Sequence, residues 1–478
     1  MPNYQTSMLK RIPSLIILLF ASLSVSSQSL DIVGGWYGVA NIGNQLRLNL
    51  YISRENDKLR ANMDSPDQKV FGIPVDEITL NTDTLTIKIH RIGFSYKGIY
   101  NIARQTIVGQ FMQSGFVKEL SFGREEIQAV LKAEDAQDKA QELPYYKEEI
   151  VFRNKKDKID FSGSFTRPKG SGKYPAVVLI SGSGPQDRDE TISGHKPFFV
   201  LSDYLTKQGF AVLRYDDRGF GKSSGTFSTS SLYGFADDAR AAFAYLKSRA
   251  DVDATKIGLI GHSEGGYIAS MIAADNKEIA FIVLLAGPGT TGKEVLLTQT
   301  RILMEAGGAE ESRIKTEENT IRKASAVIFS DKDSIAQAHE LKTIFEDYWT
   351  KIPESDKSNQ AYSEGFVNSR VKIWQSSWFS EFVKFDPKPY LEKVKCPVLA
   401  INGTKDLQVE YKSNLSAIQS ALEKGGNQRV TFAAMENLNH LFQTAQKGTV
   451  DEYAFIKETI SPKALKLIGK WMKQETGK

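Results

Sequence analysis

The chain has 478 residues, 41 % hydrophobic and 25 % charged, which is more than one domain of ordinary globular sequence and argues against a disordered chain. Its formal net charge is only +4, and no dense basic stripe is interleaved with aromatics, so nucleic acid and anionic membrane surfaces are not expected as partners. Residues 1–27 have the layout of a secretory signal: Lys10 and Arg11 first, then a short apolar run at 15–23, then Val25 and Ser27 placed for cleavage before Gln28. The apolar run is shorter than the ~20 residues a span needs, so no integral membrane span is expected after cleavage. The product is expected to be exported, to a periplasm or out of the cell. The single cysteine, Cys396, leaves an exported chain without an internal disulfide. Its apolar neighbours, Val394 and Pro397-Val398-Leu399, predict burial in a strand rather than reactivity.

Residues 28–125 carry short alternating runs, such as Leu46, Leu48 and Leu50 with Arg47 and Asn49 between them, and Leu85, Ile87 and Ile89 with Thr86 and Lys88. Period-two alternation with close-spaced turn residues predicts a small antiparallel β-barrel or sandwich domain. Residues 126–146 are polar and charged and read as a linker. From 147 onward apolar runs at 176–180, 211–215, 256–260, 279–285, 398–401 and 430–433 alternate with helical stretches such as 235–248. Near-continuous apolar strands separated by helices predict a mostly parallel sheet covered on both faces. The rhythm breaks at about 290–386, where helical patterns carry Trp349, Trp374, Trp378 and Phe379. An insertion of that length reads as a helical lid on a 147–478 domain.

The central motif is Gly261-His262-Ser263-Glu264-Gly265, placed after the 256–260 strand and opening a small-residue helical run. On a strand-to-helix turn the serine is exposed as a nucleophile, and bulky neighbours at the glycine positions would clash. The helix N-terminus adds its dipole and free N–H groups. Serine needs a base within reach. Of His90, His195, His262, His339 and His440, only His440 comes late enough for the order nucleophile, acid, histidine that this turn type carries. The acid belongs at a strand end between Ser263 and His440, where Asp406 follows the 398–401 strand, with Glu410 as its rival. An oxyanion hole needs two backbone donors. One is the N–H of Glu264. The other comes from Ser181-Gly182-Ser183-Gly184-Pro185, with Ser183 favoured and Gly182 as the alternative. The following Gln186-Asp187-Arg188-Asp189 suits a loop-internal salt bridge, and the turn at 216–223 suits a support of the active-site face. No cluster has metal-ligand spacing, so neither metal nor cofactor is implied.

These residues resemble the serine α/β-hydrolase superfamily, and more narrowly bacterial secreted esterases and serine aminopeptidase-like hydrolases with an N-terminal β domain. The resemblance rests on Gly-Ser-Gly-Pro-Gln-Asp-Arg-Asp (182–189), Asp-Asp-Arg-Gly-Phe-Gly-Lys-Ser (216–223), Gly-His-Ser-Glu-Gly-Gly (261–266), the 396–406 strand and Asn-His-Leu-Phe (439–442). Many relatives have His-Gly where Ser181-Gly182 stands here. The resemblance implies an α/β-hydrolase fold with a helical lid, a triad of Ser263, Asp406 and His440, and hydrolysis of a small-molecule carboxylic ester. Three other readings stay open: a peptidase using the same triad, a lipid- or glycan-binding protein with an inert hydrolase domain, and acyl transfer to an acceptor other than water. The oligomeric state is not legible.

Overall fold

The computed structural model describes residues 32–41, 45–56, 58–66, 70–89, 93–113, 116–127, 143–352 and 365–477, so the signal-like segment 1–27 and His90 lie outside the described residues. The alternating N-terminal runs form nine antiparallel strands: β1 (Gly34–Asn41), β2 (Gln45–Glu55), β3 (Lys58–Ser65), β4 (Val70–Pro74), β5 (Glu77–Asn81), β6 (Thr84–Ile89), β7 (Phe94–Asn101), β8 (Thr106–Gln113) and β9 (Phe116–Gly123). They make one curled sheet in the order β4-β3-β2-β1-β9-β8-β7-β6-β5. The chain after β4 bridges across the curl: Val75 N–H donates to Ala61 O of β3 at 3.0 Å and Asp76 N–H to Lys88 O of β6 at 2.9 Å. Alternation puts Leu48, Leu50, Leu85 and Ile87 inside, where Trp36, Tyr96 and Phe122 fill the interior. The Arg124 guanidinium lies 3.7 Å from the Trp36 ring centroid, and its Nη1 donates to Val33 O at 3.0 Å.

The second sheet holds β10 (Tyr145–Asn154), β11 (Ile159–Pro168), β12 (Tyr174–Ile180), β13 (Ala211–Tyr215), β14 (Val252–His262), β15 (Ile282–Leu285), β16 (Val398–Gly403) and β17 (Val430–Met435), in the order β10-β11-β13-β12-β14-β15-β16-β17. The β10–β11 and β11–β13 pairs are antiparallel, and every later pair is parallel. Parallel pairs need crossovers. These include α1 (Pro197–Lys207), α2 (Leu232–Ser248) and α3 (Glu264–Asp275). Along β12 the side chains alternate between two cores. Ala176, Val178 and Ile180 pack with Ala239 of α2 and Tyr267 of α3, while Val177 and Leu179 pack with Leu201 of α1 and Trp471 near the C-terminus. With both faces covered, the strands must be apolar throughout.

Between β15 and β16 the described chain is helical: α4 (Gly292–Ala306), α5 (Glu311–Phe329), α6 (Ser334–Lys351), α7 (Phe366–Gln375) and α8 (Ser377–Lys384). A capping box starts α4, with Thr291 and Glu294 satisfying each other's N–H groups. Leu297, Ile321, Phe345 and Trp374 give this insertion a core of its own. Then follow α9 (Lys388–Leu391), α10 (Tyr411–Lys424) and α11 (Pro462–Thr476). No helix among the described residues is long and apolar enough to cross a membrane.

Candidate active site

Strand β14 ends at His262, and α3 begins at Glu264, so one residue turns the chain. Ser263 makes that turn at φ 51° and ψ −122°, a region that costs of order 1–3 kcal/mol for a side chain with a Cβ. The surroundings force it. A Cβ at Gly261 would lie 2.1 Å from Gly265 O, one at Gly265 2.3 Å from Ile180 O, and one at Gly266 2.7 Å from Gly287 Cα. Ser263 N–H donates to Leu285 O at 2.9 Å, pinning the turn to the next strand. Glu264, as the first helical residue, has an N–H with no intrahelical acceptor.

His440 stands in the loop after β17. Its Nδ1 lies 2.7 Å from Asp406 Oδ2, with the two side chains 4 % and 0 % exposed. Asp406 Oδ1 accepts the N–H groups of Gln408 at 2.8 Å and Val409 at 2.9 Å. A carboxylate can only accept, so Nδ1 carries the hydrogen and Nε2 is left as an acceptor. Glu410, the rival acid, caps α10 by accepting from Lys412 N at 2.9 Å and Ser413 N at 2.7 Å. Ser263 and His440 line one cavity of about 300 Å³, which Ser183 and Glu264 also line.

The loop at 181–186 is held by three carboxyl groups. Asp217 Oδ1 accepts from Ser181 Oγ at 2.8 Å and its Oδ2 from Gln186 N at 2.9 Å, clamping both ends. Burial pushes the Asp217 carboxyl up to about 8, against the pull of these two hydrogen bonds. Glu190 Oε1 accepts from Gly182 N at 2.7 Å. Gly182, the alternative candidate for the loop donor, therefore has its N–H committed to Glu190. Glu264 Oε2 accepts from Ser183 Oγ at 2.7 Å. Burial raises the Glu264 carboxyl above its ordinary range, again against two side-chain hydrogen bonds.

The other described histidines have structural partners or lie in water. His262 is buried, with Nδ1 2.8 Å from Glu190 Oε1 and Nε2 3.0 Å from the His440 carbonyl. Burial opposes charge on this ring, but the Glu190 carboxylate outweighs it and raises the His262 pKa. His195 is buried between Thr459 Oγ1 and Tyr453 O, both at 3.0 Å, and His339 is exposed on α6. Arg188 and Asp189 do not pair within their loop. Arg188 reaches Asp216 at 2.7 Å and also Glu149 of β10, and Asp189 pairs with Arg214 of β13. Of the lid aromatics, Trp378 and Phe379 line the cavity beside Phe382, while Trp374 is lid core. Nothing in the sequence marked Glu190 or the Glu264 side chain, because their partners come from distant elements. The 216–223 turn was the one visible signal for Asp217.

A family model described as serine aminopeptidase, S33, matches residues 196–340, a span that contains Ser263 but neither Asp406 nor His440. Esterase EstD of Thermotoga maritima is 29 % identical over 333 residues, 69 % of this chain and 70 % of that protein. Among solved structures, the Pyrococcus furiosus esterase Pf2001 is similar over 73 % of this chain and 96 % of its own, at 18 % identity and a TM-score of 0.41. The α/β hydrolase GrgF from a Penicillium species is similar over 70 % of this chain and 100 % of its own, at 14 % identity and a TM-score of 0.42. Taken with the strand order and the serine elbow, the family match and the Thermotoga relative support a hydrolase of the α/β-hydrolase fold, similar to the serine hydrolases of that superfamily.

Proposed function

We propose that the chain is an exported serine hydrolase that cleaves small-molecule carboxylic esters through an acyl-enzyme on Ser263. The observation that carries this reading is the buried 2.7 Å His440–Asp406 pair on the same cavity as a serine held in the strand-to-helix turn. His440 Nε2 takes the Ser263 proton as Oγ attacks the ester carbonyl. The oxyanion is received by the N–H groups of Glu264 and Ser183, and the imidazolium is stabilised by Asp406. His440 then gives its proton to the departing alkoxide, and the same imidazole activates water to release the acid. Losing one oxyanion donor typically costs about 10²–10³ in kcat, so a loop clamped at both ends matters for rate. The lid aromatics Trp378, Phe379 and Phe382 supply an apolar wall for the acyl or alcohol part. The esterase relative supports ester rather than amide cleavage.

The test is hydrolysis of short-chain p-nitrophenyl esters by the chain from Gln28 onward, beside Ser263→Ala, with aminoacyl-p-nitroanilides in parallel. Ester turnover is expected, and loss of both triad and attack in Ser263→Ala should lower it by at least about 10³-fold. Dominant Ser263-dependent anilide cleavage would move the chain to the peptidases. Ester turnover that survives the substitution would remove Ser263 as nucleophile. Export is checked by sequencing the N-terminus of the product secreted by a bacterial host, expected to begin at Gln28.

A further inference from the structure

Beyond its backbone N–H, Glu264 places a carboxyl group where a charge is costly. The residue is 3 % exposed, and among the described residues its side chain bonds only to two donors, neither of them a cation. The first donor is Ser183 Oγ, 2.7 Å from Oε2. The second is the indole Nε1 of Trp378, 3.0 Å from both carboxyl oxygens. The donors come from two separate elements, both of which line the cavity. Ser183 belongs to the clamped loop proposed to supply the second oxyanion donor. Trp378 belongs to α8, the lid helix that also brings Phe379 and Phe382 to the cavity wall. The Trp378 ring is further packed against Phe227, centroid to centroid 5.9 Å, so its N–H is aimed rather than free to turn.

We propose that Glu264 is a positioning residue that couples the seating of the lid helix to the shape of the oxyanion loop. With Trp378 docked, both carboxyl oxygens are fixed, and Oε2 holds the Ser183 hydroxyl. The Ser183 backbone N–H, one residue's geometry away, is thereby held in line with that of Glu264. With Trp378 undocked, the carboxyl loses the donor that orients it, and Ser183 loses its anchor. The lid then acts on rate as well as on substrate binding. Buried hydrogen-bonded networks of this kind respond as a unit, so removing one member alters the contribution of the others.

The kinetic consequence rests on the Ser263-dependent esterase reading, but the coupling itself does not. Trp378→Phe keeps the ring and deletes the N–H. Ser183→Ala deletes the hydroxyl and keeps the backbone donor. Glu264→Gln keeps an acceptor oxygen, and Glu264→Ala keeps none. On p-nitrophenyl butyrate, Trp378→Phe is expected to lower kcat about tenfold with KM changed less than about twofold, the pattern of a lost transition-state interaction. In a Glu264→Ala background the same substitution should change kcat less than about twofold, and Glu264→Gln should recover most of the activity lost in Glu264→Ala. A Trp378→Phe effect of equal size in both backgrounds, or one confined to KM, overturns the proposal. A second readout needs neither turnover nor the Glu264→Ala protein. In the full chain carrying Ser263→Ala, the indole N–H resonance of Trp378 should shift on Ser183→Ala, because the two groups share one carboxyl. An unmoved resonance overturns the coupling. Failure of the esterase reading would show instead as turnover that survives Ser263→Ala and would leave the indole result standing.

Discussion

At Asp406 a single carboxylate decides which ring nitrogen of His440 carries a hydrogen. Its second oxygen is occupied by two backbone N–H groups, so the acid cannot swing away from the imidazole. Asp406→Asn keeps the shape but presents an amide N–H that favours the opposite tautomer. On the proposed mechanism kcat for p-nitrophenyl esters should fall about 10⁴-fold with the fold intact by circular dichroism. Asp217 makes a different prediction, about stability. Its carboxyl titrates near 8 when folded and near 3.9 when unfolded. Between those values the folded protein keeps a proton that the unfolded chain releases, so stability falls as pH rises from about 4 to about 8 and levels off above. Asp217→Asn mimics the neutral acid, with its amide donating to Ser181 Oγ and its carbonyl accepting from Gln186 N–H. Thermal midpoints across pH 4–8 should therefore slope less in the variant than in the parent, and parallel curves would remove Asp217 as the titrating group.

Among the elements, the β14 turn and the strands around it were largely legible, and the sheet edge was not. The run at 211–215 coincides with β13, and 398–401 and 430–433 fall inside β16 and β17, because strands covered on both faces have to be apolar without interruption. β10 reads Tyr-Tyr-Lys-Glu-Glu-Ile-Val-Phe-Arg-Asn and β11 buries Ser162, Ser164 and Thr166. An edge hairpin with one wet face and hydroxyls turned inward carries no apolar run, so nothing announced it. Ser263, Asp406 and His440 could be singled out as candidates because their spacing follows strand ends, and the structure sets His440 Nδ1 2.7 Å from Asp406 Oδ2. The carboxyls of Glu190 and Glu264 could not, since their roles depend on contacts across the sheet. The elbow glycines were read as steric requirements, and the packing makes that quantitative. Gly266→Ala would set a Cβ 2.7 Å from Gly287 Cα, backbone against backbone with no side chain to yield. Overpacking of this kind should lower the stability of the protein by about 1–3 kcal/mol in urea denaturation, with kcat falling as the turn shifts.

Across the whole molecule the cores are separate. The residues buried in the nine-stranded sheet are distinct from those on either face of the eight-stranded one. Trp36 is 0 % exposed, donates its indole N–H to Ile32 O at 2.8 Å and stacks beneath Arg124. Trp36→Ala should cost about 3–5 kcal/mol, expressed in the N-terminal sheet. The expected signature is an early thermal transition by near-ultraviolet circular dichroism, with ester turnover retained through that transition. A single shared transition with turnover lost would mean that the two sheets unfold together.

Burial has also left this protein quiet toward thiol-directed reagents. The chain holds one thiol, and the packing around Cys396 pushes its pKa up to about 12, far from the range in which maleimides find a thiolate. A dye offered at neutral pH therefore reports only a cysteine placed there on purpose. His339→Cys, on the exposed side of α6, would carry such a dye on the lid insertion without any background to remove. Any movement of that insertion could then be followed optically, in an otherwise unaltered chain.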